Sequence, residues 1–258
     1  MPVPVVVVLV VLDLRGWYQR FALAANDPKV GGMSTTELVE SIRLKLRSEA
    51  DPERARGAQA YMKSEMPSYG VTVPGVRRIV KAAAKAFPPT SPEELRSAAL
   101  TLWREAEARE ERYAAIDLTG LRMVKEDLLM LPVYEEIIRT GAWWDLVDGV
   151  SHRLCALLLA HSDTMTPVLL RWAKDGDMWI RRAAITSQLG AKSATDRVLL
   201  AQAITANLAD KEFFVRKAIG WALREFSKTD ADWVRGFVQE NAQALSPLSA
   251  REATRLLK

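Results

Sequence analysis

The sequence predicts an all-α protein whose short helices stack in pairs to form an α-solenoid. Three observations point to this. From Met33 onward helix start and stop signals follow one another closely, and no stretch shows the two-residue alternation of a hairpin. The connections between these helices are only a few residues long, as expected where successive helices pack as neighbours. Finally, a segment recurs: Trp179-Ile180-Arg181-Arg182-Ala183 is matched 35 residues later by Phe214-Val215-Arg216-Lys217-Ala218, and the same step backward lands on Trp144-Asp145-Leu146-Val147-Asp148.

The elements follow in order. Met33-Ser34-Thr35-Thr36-Glu37 opens the first helix, with Ser34 and Glu37 read as a capping box, and Leu38, Ile42 and Leu46 recur at steps of four. Asp51-Pro52 supplies an N-cap followed by proline at the first helical position. That helix leads into Tyr61-Met62-Lys63 and is broken by Pro67-Ser68-Tyr69-Gly70. Pro74 to Phe87 forms the next helix, stopped by Pro88-Pro89, and Ser91-Pro92-Glu93-Glu94 is a second capping box. Further helices are expected over 93–107, 109–122, 126–140, 143–161, 164–174, 177–190, 195–208, 211–227, 230–243 and 248–257.

An aromatic followed by Val or Ile, Arg, Arg or Lys, and Ala, once per helix pair, is HEAT-like. Such pairs cannot bury their apolar faces alone, so they stack into a curved superhelix whose concave side suits a long cylindrical ligand.

Composition narrows the function. At 258 residues, 49% hydrophobic and 26% charged, the chain is neither disordered, collagen-like nor a polytopic membrane protein. One cysteine, Cys155, excludes an intramolecular disulfide framework and a cysteine-cluster zinc site. The two histidines, His152 and His161, are poorly spaced for a helical metal pair, so no metal and no cofactor are expected. The net charge of +4 permits a nucleic-acid partner without demanding one.

Residues 1–32 read differently. Val3 to Leu12 is almost wholly Val and Leu, too short to span a bilayer, and no Lys or Arg precedes it as in a signal peptide. The segment is read as a poorly ordered N-terminal extension or a start-site artefact, with residues 33–258 as a single domain. From Met33 the balance is still 33 basic against 30 acidic residues.

With Trp144, Trp179 and Phe214 as equivalent origins, Leu146, Val150, Leu154, Leu157 and Leu158 define a core face. Trp144 and Asp148 then share a strip about 110° away from it. Arg182, Lys217 and Trp221 fall in the same arc, which is about 100° wide. Each has a plainer reading: Trp144 as core, Asp148 as a solvated carboxylate or a partner of Arg182, Arg182 and Lys217 as braces between helices, Trp221 as packed or open beside Gly220. Trp103, Trp143, Trp172, Trp179 and Trp233 are read as packing residues. Together the strip is less bland, because a carboxylate between aromatic plates is costly to desolvate unless something fills the groove. Aromatic faces attract cations and stack on sugars or bases, Arg and Lys hold phosphates, and a carboxylate stabilises developing positive charge. The residues alone thus describe a concave nucleic-acid groove with one acid placed for glycosidic chemistry.

Several ordered motifs carry a resemblance. Ala60-Tyr61-Met62-Lys63, Pro67-Ser68-Tyr69-Gly70-Val71, Pro74-Gly75-Val76-Arg77-Arg78, Trp143-Trp144-Asp145-Leu146-Val147-Asp148, Trp179 to Ile185 and Lys217 to Phe226 resemble the DNA alkylation repair family, the HEAT-like-repeat bacterial alkylpurine DNA glycosylases. The resemblance runs from about Met33 to Lys258. Ser68 stands where that family often carries an aromatic.

The resemblance implies a monofunctional DNA glycosylase, a hydrolase in base excision repair of cationic N3- and N7-alkylated purines in duplex DNA, which does not flip the base into a pocket. It implies Asp148 as the catalytic acidic residue, Trp144 and Trp221 as plates against the lesion's deoxyribose, Arg182 at the DNA backbone and Tyr61 near the groove. Lys217 joins the backbone contacts from its place in the strip. Asp148 is expected to be ionised. No general acid is needed for a cationic leaving group, so neutral lesions should be poor substrates. A monomeric cytoplasmic protein with double-stranded DNA as partner, and with neither a membrane nor a small-molecule cofactor, completes the expectation. The alternatives are a non-catalytic HEAT-repeat module binding damaged or branched DNA, and a protein-interaction scaffold.

Overall fold

Local sequence explains most helix ends in the computed structural model, which describes residues 33–257. The expectations for residues 1–32 lie outside the described residues. Helix α1 (Met33–Ser48) buries Leu38, Ile42 and Leu46. It begins at Met33, so Ser34 lies inside the first turn rather than ahead of it. Helix α2 (Pro52–Met62) is capped by the Asp51 carboxylate, which accepts from the Arg54 amide at 2.9 Å, and ends at Lys63 in a left-handed conformation. The turn behind it needs glycine: Gly70 has φ +79, and a Cβ there would lie 2.2 Å from the Asp51 carbonyl oxygen.

Helix α3 (Val73–Ala86) buries the stripe Val76, Ile79, Val80 and Ala83. Helix α4 (Pro92–Arg104) is capped by Ser91, and α5 (Arg109–Leu118) follows. The expected helix 109–122 stops early because Thr119 turns its hydroxyl back to the Ile116 carbonyl at 2.7 Å. Two 3-10 turns, Arg122–Val124 and Leu128–Met130, lead into α6 (Leu131–Gly141). That helix starts late relative to 126–140, since Pro132 is tolerated only in a first turn.

The expected single helix 143–161 is two, α7 (Trp144–Gly149) and α8 (Ser151–Ala160). The chain tightens at Val150, whose amide bonds to the Val147 carbonyl, beside a residue of poor helix propensity, Gly149. The predicted face survives the break: Leu146, Val150, Leu154, Leu157 and Leu158 are all buried. Next come α9 (Ser162–Trp172), α10 (Met178–Thr186), α11 (Arg197–Thr205), α12 (Phe213–Ser227), α13 (Ala231–Glu240) and α14 (Pro247–Thr254). Among the described residues there is no strand, and no helix is long and apolar enough to cross a membrane.

The stacking is serial. α5 packs on α7, α7 on α10, α10 on α12 and α12 on α14. Cross-links recur at about one repeat: Trp103 Nε1 donates to Thr140 Oγ1, Arg109 grips Asp145, Ser151 pairs with Thr186, Asn207 Nδ2 donates to the Ala173 carbonyl, and Ser249 Oγ donates to the Arg216 carbonyl. Elements that touch chiefly their sequence neighbours are the mark of an α-helical repeat solenoid. One core cluster runs from Leu38 to Ala203 and a second from Ile185 to Ala253. Trp103, Trp172 and Trp179 are buried as predicted, while Trp143 and Trp233 are half-buried.

Candidate functional site

The site is built where α7, α10 and α12 meet. Asp148 sits one position before the Gly149 break, with its carboxylate largely buried. Arg182 reaches back from α10 and is only 5% exposed. Its Nε donates to Asp148 Oδ1 at 2.8 Å and its Nη2 to Asp148 Oδ2 at 2.7 Å. Its Nη1 donates to the Phe214 carbonyl at 2.6 Å. One guanidinium thus ties three helices together. Its Cζ also lies 5.9 Å from the centre of the Trp221 ring, within reach of a cation–π contact.

Of the strip residues, Asp148, Arg182 and Trp221 form one connected group. Trp144, on the same short helix as Asp148, is half-buried, and its ring meets that of Tyr61 edge to face at 6.4 Å. Tyr61 is 74% exposed at the end of α2. Lys217 points elsewhere: its Nζ lies 3.0 Å from Glu252 Oε1, and Glu252 also holds Arg224. In this structure Arg182 and Lys217 both brace neighbouring helices. Helix α14 closes over Gly220, where a Cβ would lie 2.4 Å from Glu252 Cβ.

Burial pushes the Asp148 carboxyl above the ordinary range. The hydrogen bonds and charge of Arg182 oppose this, and nearby Asp145 adds a smaller upward push. Glu252 is held below its usual value by Lys217 first and Arg224 second.

Sequence reasoning missed the group that holds α7 from the other side. Arg109 donates from Nη2 to Asp145 Oδ1 at 2.5 Å and from Nε to Asp145 Oδ2 at 3.0 Å, and Tyr113 donates its hydroxyl to Asp145 Oδ2 at 2.5 Å. A signal was present: Arg109 stands one 35-residue step before Trp144, so the repeat already placed a charged residue at the origin of the preceding helix. The aromatic frame also shifts. Trp143, not Trp144, shares a cluster with Trp179 and Phe214, at 6.2 and 5.6 Å between ring centres.

Chemically, the connected group offers one largely buried carboxylate in a fixed orientation, a guanidinium and an indole ring, and Trp144 with Tyr61 forms a second aromatic pair beginning on the same short helix. Among the described residues there is no cluster of three or more metal-ligating side chains.

The sequence profile of a family described as DNA alkylation repair enzyme matches residues 42–257. Among solved structures, one described as a predicted DNA alkylation repair enzyme from Enterococcus faecalis is similar, with 31% identity, 81% of this chain and 96% of that chain covered, and a TM-score of 0.66. No curated protein matches significantly.

Proposed function

The chain belongs to the DNA alkylation repair enzyme family, and from that premise we propose that it is a monofunctional glycosylase releasing cationic N3- and N7-alkylated purines from duplex DNA without flipping the base. The observation that carries the reading is the largely buried Asp148 carboxylate, oriented by an Arg182 guanidinium that itself lies against the Trp221 ring.

The chemistry follows from charge. An alkylated purine of this kind is positively charged, so its departure neutralises it. The C1′–N bond breaks with its electron pair going to the base, and the deoxyribose acquires oxocarbenium character. Asp148 opposes that positive charge from a desolvated site, where a carboxylate acts more strongly than in water. Water then bonds to C1′ and gives up a proton to solvent, yielding an abasic sugar. Trp144 and Trp221 flank the sugar, Tyr61 extends the wall on the side of α2, and Arg182, buried and fully engaged by Asp148 and the Phe214 carbonyl, orients the carboxylate. Lys217, ion-paired with Glu252, reaches a phosphate only where that pair opens.

The closing of Asp148 by Arg182 supports a second reading, a non-catalytic module that binds damaged or branched DNA, since a paired carboxylate has less charge to offer a sugar. Release of 7-methylguanine from methylated duplex DNA separates the two. Glycosylase activity gives free base in proportion to enzyme and time. Binding without release establishes the non-catalytic module.

A further inference from the structure

Helix α2 ends in Tyr61 yet is thinly seated. Ala55 is its one buried residue, and a cavity of about 180 Å³ lies beside it, lined by Met62, Met66 and Tyr113 among others. Such packing leaves the position of Tyr61 weakly fixed, so hydrogen bonds must set it. Gln59 Nε2 donates to the Met66 carbonyl at 3.3 Å, and Arg54 Nη1 to the Gly70 carbonyl at 3.1 Å. The loop behind α2 is held by the first turn of α5. Glu110, 2% exposed, accepts from Ser68 Oγ and from the Tyr69 and Gly70 amides, while Glu111, 0% exposed, accepts from the Tyr69 hydroxyl.

Helix α7 has the opposite problem. At six residues it is too short to be stable alone, yet it carries Trp144 and Asp148. Asp145 anchors it through Arg109 and Tyr113. The same Arg109 guanidinium donates from Nη1 to Ser64 Oγ at 3.0 Å. One buried cation therefore holds Ser64, three residues past Tyr61, and Asp145, next to Trp144. The two rings so positioned are the ones that meet edge to face.

We propose that Arg109 is a positioning residue that sets the gap between Tyr61 and Trp144, holding the α2 wall of the site in register with the helix that carries Asp148. The proposal rests on the excision reading above for its functional consequence and on the hydrogen bonds alone for its mechanical one. Arg109 touches no reacting atom.

Removing Arg109 outright would leave Asp145 buried and unpaired, so the test cuts its links singly. In the DNA-free protein, Tyr113→Phe removes the hydroxyl that accepts from Arg109 Nε at 3.0 Å and donates to Asp145 Oδ2. Amide exchange across residues 144–149 should then rise about tenfold, with exchange in α12 unchanged; equal exchange at 144–149 overturns the proposal. In single-turnover release of 7-methylguanine, Ser64→Ala should slow excision about three- to tenfold at unchanged duplex affinity. That loss should disappear in a Tyr61→Ala background, because the ring being positioned is gone. Independent, additive losses overturn the proposal, as does full activity of Ser64→Ala. A wild-type protein that releases no base refutes the excision reading, and the exchange measurement then decides the positioning role by itself.

Discussion

Arg182 and Asp148 meet in a two-pronged ion pair, at 2.8 and 2.7 Å, that joins α10 to α7 in the lee of Trp221. The guanidinium fork fixes both carboxylate oxygens, so the acid cannot swing away from the site. Asp148→Asn keeps the shape and one acceptor but removes the charge. Excision of 7-methylguanine should fall by about 10²–10³, while duplex affinity, read by fluorescence anisotropy, should not fall, since the change removes a negative charge and no positive one. A variant that retains more than a tenth of the rate would show that the charge of Asp148 is not what drives bond cleavage.

The same pair sets a pH dependence. Burial raises the Asp148 carboxyl and Arg182 lowers it, with burial the larger. As pH falls through this raised value the acid protonates and loses the charge that opposes the sugar cation. The acid limb of the rate should therefore lie above the ordinary aspartate value of about 3.9. Arg182→Gln removes the opposing cause and should move that limb upward again. A limb that stays put in Arg182→Gln means another group titrates. For stability the sign reverses: the folded carboxyl binds its proton more readily than the unfolded one, so its contribution declines as pH rises through that window.

Sequence patterning exposed the helical class and the repeat because both depend on short spacings. Leu38, Ile42 and Leu46, the Asp51-Pro52 start and the match between Trp179 and Phe214 all carry their information locally, and the structure buries or caps them accordingly. Asp148, Arg182 and Trp221 were also within reach, because a 35-residue period projects one helix onto the next. What periodicity could not give was partnership. That Lys217 turns to Glu252, that α14 closes over Gly220, and that Arg109 bridges Ser64 and Asp145 depend on side-chain reach between helices. The split at Gly149–Val150 escaped for a related reason: the apolar period continues across it, so the burial pattern hides the break.

Glu252 ion-pairs with two cations on the α12 side. It neutralises one of the two cations, Lys217 and Arg224, that it holds. Glu252→Gln should free one charge for phosphate. Duplex affinity at low salt should rise several-fold, and the slope of log K against log salt should steepen by about 0.9 for one added phosphate contact. Binding measured between about 50 and 200 mM salt checks this. An unchanged slope would place Lys217 off the DNA path and remove it from the backbone contacts.

Gly220→Ala sets two effects against each other. Alanine favours a helix interior over glycine by about 1 kcal/mol, and Gly220 lies within α12. The added Cβ, however, would stand 2.4 Å from Glu252 Cβ and 3.0 Å from the Ser249 carbonyl oxygen. Neither atom is the free end of a flexible side chain, so α14 must shift bodily, and overpacking of this kind costs about 1–3 kcal/mol. The clash should win. Thermal unfolding should show a lower Tm, by about 2–4 °C per kcal/mol of net loss for a chain of this size. Excision should weaken as well, because Trp221 is the next residue and turns with the helix. A Tm equal to or above wild type would mean that α14 slides without loss, and that the tight approach at Gly220 is not what fixes the Trp221 side of the site.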